Sequence, residues 1–496
     1  MIKASNTSAP KTVLASLIFL LFTLNAHSQQ TDCLNACWSK QVKPLQQQWL
    51  SFSFTETINQ FEHSFKPWQA TTYAVKGLVS LNTDSFSKTD TLGSGKRIMF
   101  SKTRLNPASL LLLDYGEDSL AAPTEKALQE ALIQTARYSP VLLINYFFEL
   151  HIPAQKETLS TNLKPLAIYK TTVGHTIVTL YIRKADQLIS HITTLSDDEL
   201  FGDVLTTFLY TGYTRLSKLS YPDSIHIQKI NGKLRDEVAI SGASFVTKAQ
   251  QIFAAGSGLG FLKEKPNHPE LSSEKYDDHI HFINLKHTDD KVLLVEFNDF
   301  LVVEGAPLNS ENGELIRSEA KRIAPGKPIK YFLFGHYHPH YLGGMRPFIH
   351  AGATVVTCKT DEDYVRYLAA APHRLNPDSL QLQPEALKLE EIKESKTIAD
   401  ANYEMRIYFI GDKSTHTNDY MIYYFPAEKL LFEDDLVWIS QTGIIQKAGA
   451  RQAGLYHAII DLGLDVTTIV QSWPVAAMGV KTIIPFTDLE QSMKIN

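Results

Sequence analysis

Tyr331 to Thr357 read YFLFGHYHPHYLGGMRPFIHAGATVVT. An apolar run ends in three alternating histidines, His336, His338 and His340, and two glycines follow. IKYFLFGH has the composition of a buried strand that ends on a histidine. In an α/β sheet the C-terminal ends of strands are where a site is usually presented. His-x-His on a loop leaving a strand points two imidazoles toward one ion. Neutral imidazole is a good Zn²⁺ ligand, and three protein ligands with one open position make a catalytic zinc site. Spacing alone fits solvated loop histidines equally well, so the flanking sequence has to decide.

The flanks read as α/β. KVLLVEFNDFLVVEGAP gives two strands turning at Asn298-Asp299, and SENGELIRSEAKRIA has the period of an amphipathic helix. Further upstream, Ala254 to Asp278 carries Gly, Pro, Ser and charge without a clear period, which places a linker at 256–272. Gly256, Gly258 and Gly260 do not follow a convincing strand, so they belong to that linker rather than to a nucleotide loop. Before it, AIYKTTVGHTIVTLYIRK, QLISHITTL, VLTTFLYTGYTRLSKL, SIHIQKINGKL and EVAISGASFV read as successive antiparallel strands, with a hairpin turn at Asn231-Gly232. His175, His191 and His226 sit singly on them and read as ordinary strand residues. Leu45, Trp49, Phe52, Phe54, Ile58 and Phe61 suggest a helix within Cys33 to Phe65. A second helical stretch runs from Ala122 to His151 and is broken at Pro140. The expected fold is an α+β domain with a curved antiparallel sheet at 29–255, then an α/β domain at 273–496.

At 496 residues the chain is too long for one ordinary domain. A charge of −5 and the absence of a long basic run argue against nucleic acid or an anionic membrane as partner. Lys3 and Lys11, the apolar run VLASLIFLLFTL and Ala26-His27-Ser28 form a signal-peptide pattern over 1–28, which implies export to the periplasm or beyond. No later segment is long and apolar enough to cross a bilayer as a helix. The cysteines are Cys33, Cys37 and Cys358. An i,i+4 pair on a helix makes a poor disulfide, so no bridge is expected.

Several separated motifs over about 273–490 resemble the metallo-β-lactamase fold superfamily. HYHPHYLGGMRPFIHAGATVVT keeps the family's His-x-His, its Gly-Gly pair and its Gly-Ala-Thr strand. EGAPLN resembles the strand end of an exported metallohydrolase subgroup, and THTNDYM its third-histidine loop. GDKSTHTNDYMIYYFPAEKLLFEDDL places His416 on the third metal histidine and Asp435 on the bridging aspartate. The resemblance implies an αββα sandwich and a first metal site of His336, His338 and His416, with Asp435 beside it. There is one departure per ligand of the second site. His340 replaces the family aspartate, Tyr341 the next histidine, and Trp473 the last one.

The implied activity is that of a mono-metal hydrolase acting on a small-molecule ester, amide or phosphoester. One Zn²⁺ would activate water and polarise the scissile oxygen. His340 would serve as a base or partial second-site ligand, and Tyr341 would donate to an oxyanion. The ligand nitrogens should then converge to roughly 3–4 Å. The alternative is a binding protein of the same fold whose second site has decayed.

Overall fold

The computed structural model describes residues 33–61, 64–94, 97–115, 123–155, 165–253 and 269–495. The expected leader at 1–28 and most of the expected linker at 256–272 lie outside the described residues. Two compact units emerge. The second combines Lys265–Asn496 with two short segments from the N-terminal half, Gln60–Thr71 and Asp197–Asp203. Sequence reading had assigned those segments to the domain at 29–255; their partners lie far along the chain, and no local pattern announces them.

In the first unit, α1 (33–41) is followed by β1 (Trp49–Gln60), β2 (Thr71–Leu81), β3 (Phe86–Ser94), β4 (Arg97–Asn106) and β5 (Ser109–Leu113). Then come α2 (Glu125–Gln134), α3 (Val141–Glu149), β6 (Leu166–Val173), β7 (Thr176–Arg183), β8 (Ile189–Asp198), β9 (Gly202–Leu216), β10 (Leu219–Lys229) and β11 (Leu234–Val246). They form one 11-stranded sheet in the order β5-β4-β3-β2-β1-β11-β10-β9-β8-β7-β6. The helical reading of Cys33 to Phe65 fails beyond residue 41. From Trp49 onward Leu50, Phe52, Phe54 and Glu56 are buried while Ser53, Thr55 and Thr57 are exposed, a period of two. Aromatic and Thr residues on alternate positions favour the strand over three-residue spacing. Pro140 does break the second helical stretch, standing at the N-cap of α3 after a 3₁₀ turn at Thr135–Arg137. Cys37, Phe52, Leu143, Ile144, Phe147 and Tyr210 share one core between the helices and the sheet. Arg137 ties that core to the strands: it pairs with buried Glu56 and lies 2.9 Å from Asp236 Oδ2. All three cysteines are free and buried.

The second unit holds β12 (Leu271–Lys275), β13 (Ile280–Leu285), β14 (Asp290–Glu296), β15 (Leu301–Glu304), α4 (Ser310–Ile323), β16 (Ile329–Leu333), α5 (Pro339–Leu342), α6 (Arg346–His350), β17 (Thr354–Cys358), α7 (Glu362–Ala370), α8 (Ser379–Leu382) and β18 (Lys388–Ile392). β19 (Ser395–Ala399), β20 (Glu404–Phe409), β21 (Met421–Phe425), β22 (Leu430–Glu433), α9 (Ala450–Asp461), β23 (Thr468–Gln471), β24 (Ile483–Pro485) and α10 (Phe486–Lys494) complete it. β12 lies partly in the stretch read as linker. β12 to β18 form a seven-stranded sheet in chain order, and β19 to β24 a six-stranded one. β15 to β18 pair in parallel, as strand–helix–strand crossovers require.

The two sheets share a core in which Phe282, Val295, Val302 and Val356 of one meet Met405, Tyr423, Phe432 and Val470 of the other. Behind the six-stranded sheet, Ile422, Leu431 and Ile469 pack with Leu455 and Ile459 of α9 and Leu489 of α10. Behind the seven-stranded sheet, Phe332 stacks on Phe348 of α6 at 4.6 Å. Helices therefore cover both outer faces, and the central strands are buried on both sides and read as near-continuous apolar runs.

Candidate metal centre

β16 ends at Leu333, and the next five residues turn sharply before Pro339 starts α5. Gly335 leaves room for Asp434 beside that turn, since a Cβ there would stand 2.4 Å from Asp434 Oδ2. Downstream, a Cβ on Gly343 would strike the Leu308 backbone at 2.5 Å. The loop Gly305–Asn309 is laced to α5 by Ala306 N–H donating to Tyr341 O at 2.9 Å and Leu308 N–H to Pro339 O at 2.8 Å. The EGAPLN and PHYLGG stretches thus form one backbone unit beneath the histidines.

His336 and His338 are buried, and His336 Nε2 lies 3.0 Å from His338 Nδ1. His416 arrives from the loop after β20. There Ser414 Oγ accepts from the His416 and Thr417 amides at 3.2 and 3.3 Å. One nitrogen from each of His336, His338 and His416 lies within 4.8 Å of the others, somewhat wider than the 3–4 Å expected. His416 Nε2 makes no hydrogen bond of good geometry, although Asp435 Oδ2 is 3.3 Å away. Asp435 Oδ1 is 4.0 Å from His336 Nε2, so Asp435 stands at the edge of the trio.

The donor set suits a metal ion. His336 Nδ1 is 2.7 Å from Asp434 Oδ2, which orients the ring and turns Nε2 toward His338 and the trio. Burial, and then the neighbouring His338 and His416, hold the His336 imidazole well below its ordinary pKa, hence neutral. Burial raises the Asp435 carboxyl, but His416, Arg451 and His338 outweigh it and hold the group below its ordinary value. Arg451 Nη1 is 3.1 Å from Asp435 Oδ2. Beneath lie further carboxyls with the opposite tendency. Burial pushes Glu304 and Glu433 each up to about 8 and, together with Glu304 and Asp435, pushes Asp434 well above the carboxylate range. Of these four acids, Asp435 is the one held below its ordinary value. Tyr420 OH bridges them, donating toward Glu433 Oε2 at 3.1 Å and accepting from the Asp435 amide at 2.9 Å.

His340 turns to a partner that sequence reading missed. Its Nδ1 is 2.9 Å from Asp290 Oδ1, at the start of β14. Burial lowers the His340 pKa, but Asp290 and then Asp435 outweigh it and raise it above the ordinary value. Tyr341 is buried with its ring 4.4 Å from that of His336, and burial keeps its phenol protonated. Trp473 lies 5.3 Å from the His340 ring. A cleft of about 860 Å³ opens over His338 and His416, with His336 fully buried. Tyr337, Tyr341, Trp438, Trp473 and Arg451 line it together with Phe61 and Phe201 from the two short segments. Asp434 had a faint sequence signal, as the neighbour of Asp435 in EDD. Asp290, Arg451, Phe61 and Phe201 had none.

No protein-family profile matches the chain, and no curated protein does. Among solved structures it is similar to a metallo-β-lactamase from Pontibacter korlensis, at 17% identity and TM-score 0.34, covering 45% of this chain and 97% of that one. It is also similar to the DIM-1 metallo-β-lactamase, at 13% identity and TM-score 0.34, covering 45% and 96%. A flavoprotein from Thermotoga maritima matches at 12% identity and TM-score 0.32, over 45% of this chain and 61% of that one.

Proposed function

We propose that the chain is an exported, metal-dependent hydrolase of the metallo-β-lactamase kind that uses one Zn²⁺ to cleave an ester, amide or phosphoester of a small molecule. The observation that carries this reading is the convergence of His336, His338 and His416, the last two lining the cleft, backed by Asp434 on His336. Bound there, the ion would supply Lewis acidity to the scissile group and lower the pKa of water. The chain's own residues would do the rest. Asp434 orients the His336 ring. His340, held by Asp290, leaves Nε2 for a proton. The Tyr341 hydroxyl stays protonated and donates, and Asp435 keeps a negative charge beside the trio.

A second reading is supported by Tyr341 and Trp473, which stand where the resemblance implies ligands of a second ion. In that reading the fold only binds a ligand. Metal content after purification, with turnover of generic esters, separates the two. Near-stoichiometric zinc with turnover supports the hydrolase, and no zinc with no turnover sinks it.

A further inference from the structure

The cleft over His338 and His416 has a composition that bears on what enters it. Its walls are aromatic on two sides. Phe61 and Phe201 come from the segments Gln60–Thr71 and Asp197–Asp203, and Trp438 and Trp473, 5.7 Å apart, from the loops after β22 and β23. The first wall is built rather than loosely placed. Trp68 packs edge-on against Tyr364 at 4.8 Å and lies 5.2 Å from Phe61. Tyr337 OH donates to Ser64 O at 2.8 Å, and the Asn418 amide donates to Phe65 O at 2.9 Å. Asp198 Oδ1 accepts from the Leu200 and Phe201 amides at 3.0 and 2.8 Å. At the foot of that segment the Asp203 amide donates to Pro372 O at 2.7 Å.

Charge selects in the same direction. Asp197, Asp198 and Glu199 line the cleft on the side of Phe201, and Arg451 lines it near Asp435. Arg451 is already held by Asp435 at 3.1 Å. An anionic group placed against the Phe201 wall would meet three carboxylates. A neutral one with an apolar body meets rings.

We propose that the substrate is a neutral ester or amide carrying an apolar acyl or aromatic group, and that Phe61 and Phe201 are specificity-determining residues that receive that group. The substrate class rests on the hydrolase reading; the apolar wall does not, and the test separates them.

The full chain, loaded with zinc, is assayed on p-nitrophenyl acetate, p-nitrophenyl octanoate and bis(p-nitrophenyl) phosphate. Even one methylene received by a fitted apolar pocket is worth about 10-fold. The octanoate should therefore exceed the acetate in kcat/KM by at least about 10-fold, with the phosphodiester poorest. Phe201→Ala and Phe61→Ala should shrink the octanoate-to-acetate ratio about 10-fold with zinc content unchanged, and Phe201→Leu should restore most of it. Glu199→Lys, at an exposed position that spares the fold, should raise the phosphodiester rate relative to the octanoate. Octanamide and acetamide binding to the metal-free chain, read from tryptophan fluorescence, should differ by at least about 10-fold in Kd and lose that difference in Phe201→Ala. Absent zinc and turnover with the octanamide preference intact would overturn the hydrolase reading and leave the wall. Turnover with equal ratios in wild type and variants, or with the phosphodiester as best substrate, would overturn this inference and leave the hydrolase.

Discussion

His336 uses both ring nitrogens, one toward Asp434 and one toward the ligand trio, and the predictions at this scale follow from that division. His416 comes from a separate loop and closes the donor set, so His416→Ala should abolish zinc retention after dialysis, whereas His340→Ala should keep the ion. Loss of a general acid–base group lowers turnover by about 10²–10⁴-fold, and His340→Ala should fall in that range. Equal zinc in wild type and His416→Ala would defeat the one-ion arrangement. Asp434→Ala removes the group that orients His336 and should weaken zinc affinity by about 10–100-fold, measured by competition with a chelator. His336 and His338 were legible as a His-x-His pair leaving a strand, and His416 only through the resemblance of its loop to a known motif. Asp290 was not, because it lies 50 residues before His340 and only folding brings the two to hydrogen-bond distance.

Among the elements, α6 and α8 are held by one buried pair. Arg346 Nε is 2.6 Å from Asp378 Oδ2, and its Nη1 donates to the carbonyls of Leu368, Ala369 and Ala371. Asp378 also caps α8 through the Gln381 amide and accepts from Ser310 Oγ at the start of α4. Burial raises this carboxyl, but Arg346 and the Gln381 amide outweigh it and bring it down to about 2. A depressed acid stabilises the fold above its unfolded pKa of about 3.9, and that contribution is lost as pH falls from there through about 2. Asp378→Ala strands the guanidinium and should destabilise the second unit by about 3–5 kcal/mol at neutral pH. The difference from wild type should shrink below pH 4 in denaturant titrations; a constant difference down to pH 2 would contradict the pairing. Strand and helix periods made most elements legible. The failure at Trp49–Gln60 arose where three-residue and two-residue spacings coincide on the same aromatics, and burial on the sheet decided between them.

At the scale of the whole chain, the second unit is assembled from three stretches of sequence, Gln60–Thr71, Asp197–Asp203 and Lys265–Asn496. Motifs identify the last; nothing in the composition of the other two marks them as its parts. A fragment starting at Lys265 would lack Trp68, Phe61 and Phe201, and would bare the rings of Tyr364 and Tyr367 that Trp68 covers. Such a fragment should bind a hydrophobic dye strongly and lose its cooperative melt, while the full chain does neither. A fragment that melts like the full chain would show that the two segments are dispensable for stability.

This threading also sets an order in time. Residues 60–71 leave the ribosome long before Lys265 exists, and at about 5–20 residues per second the interval between them is on the order of tens of seconds. For that period Trp68 lacks the rings of Tyr364 and Tyr367, and Phe61 lacks most of the cleft it lines. The cleft therefore matures late in synthesis, only after its last lining residue, Trp473, has been made, and a chain released before then lacks one of its walls even when most of its sequence exists.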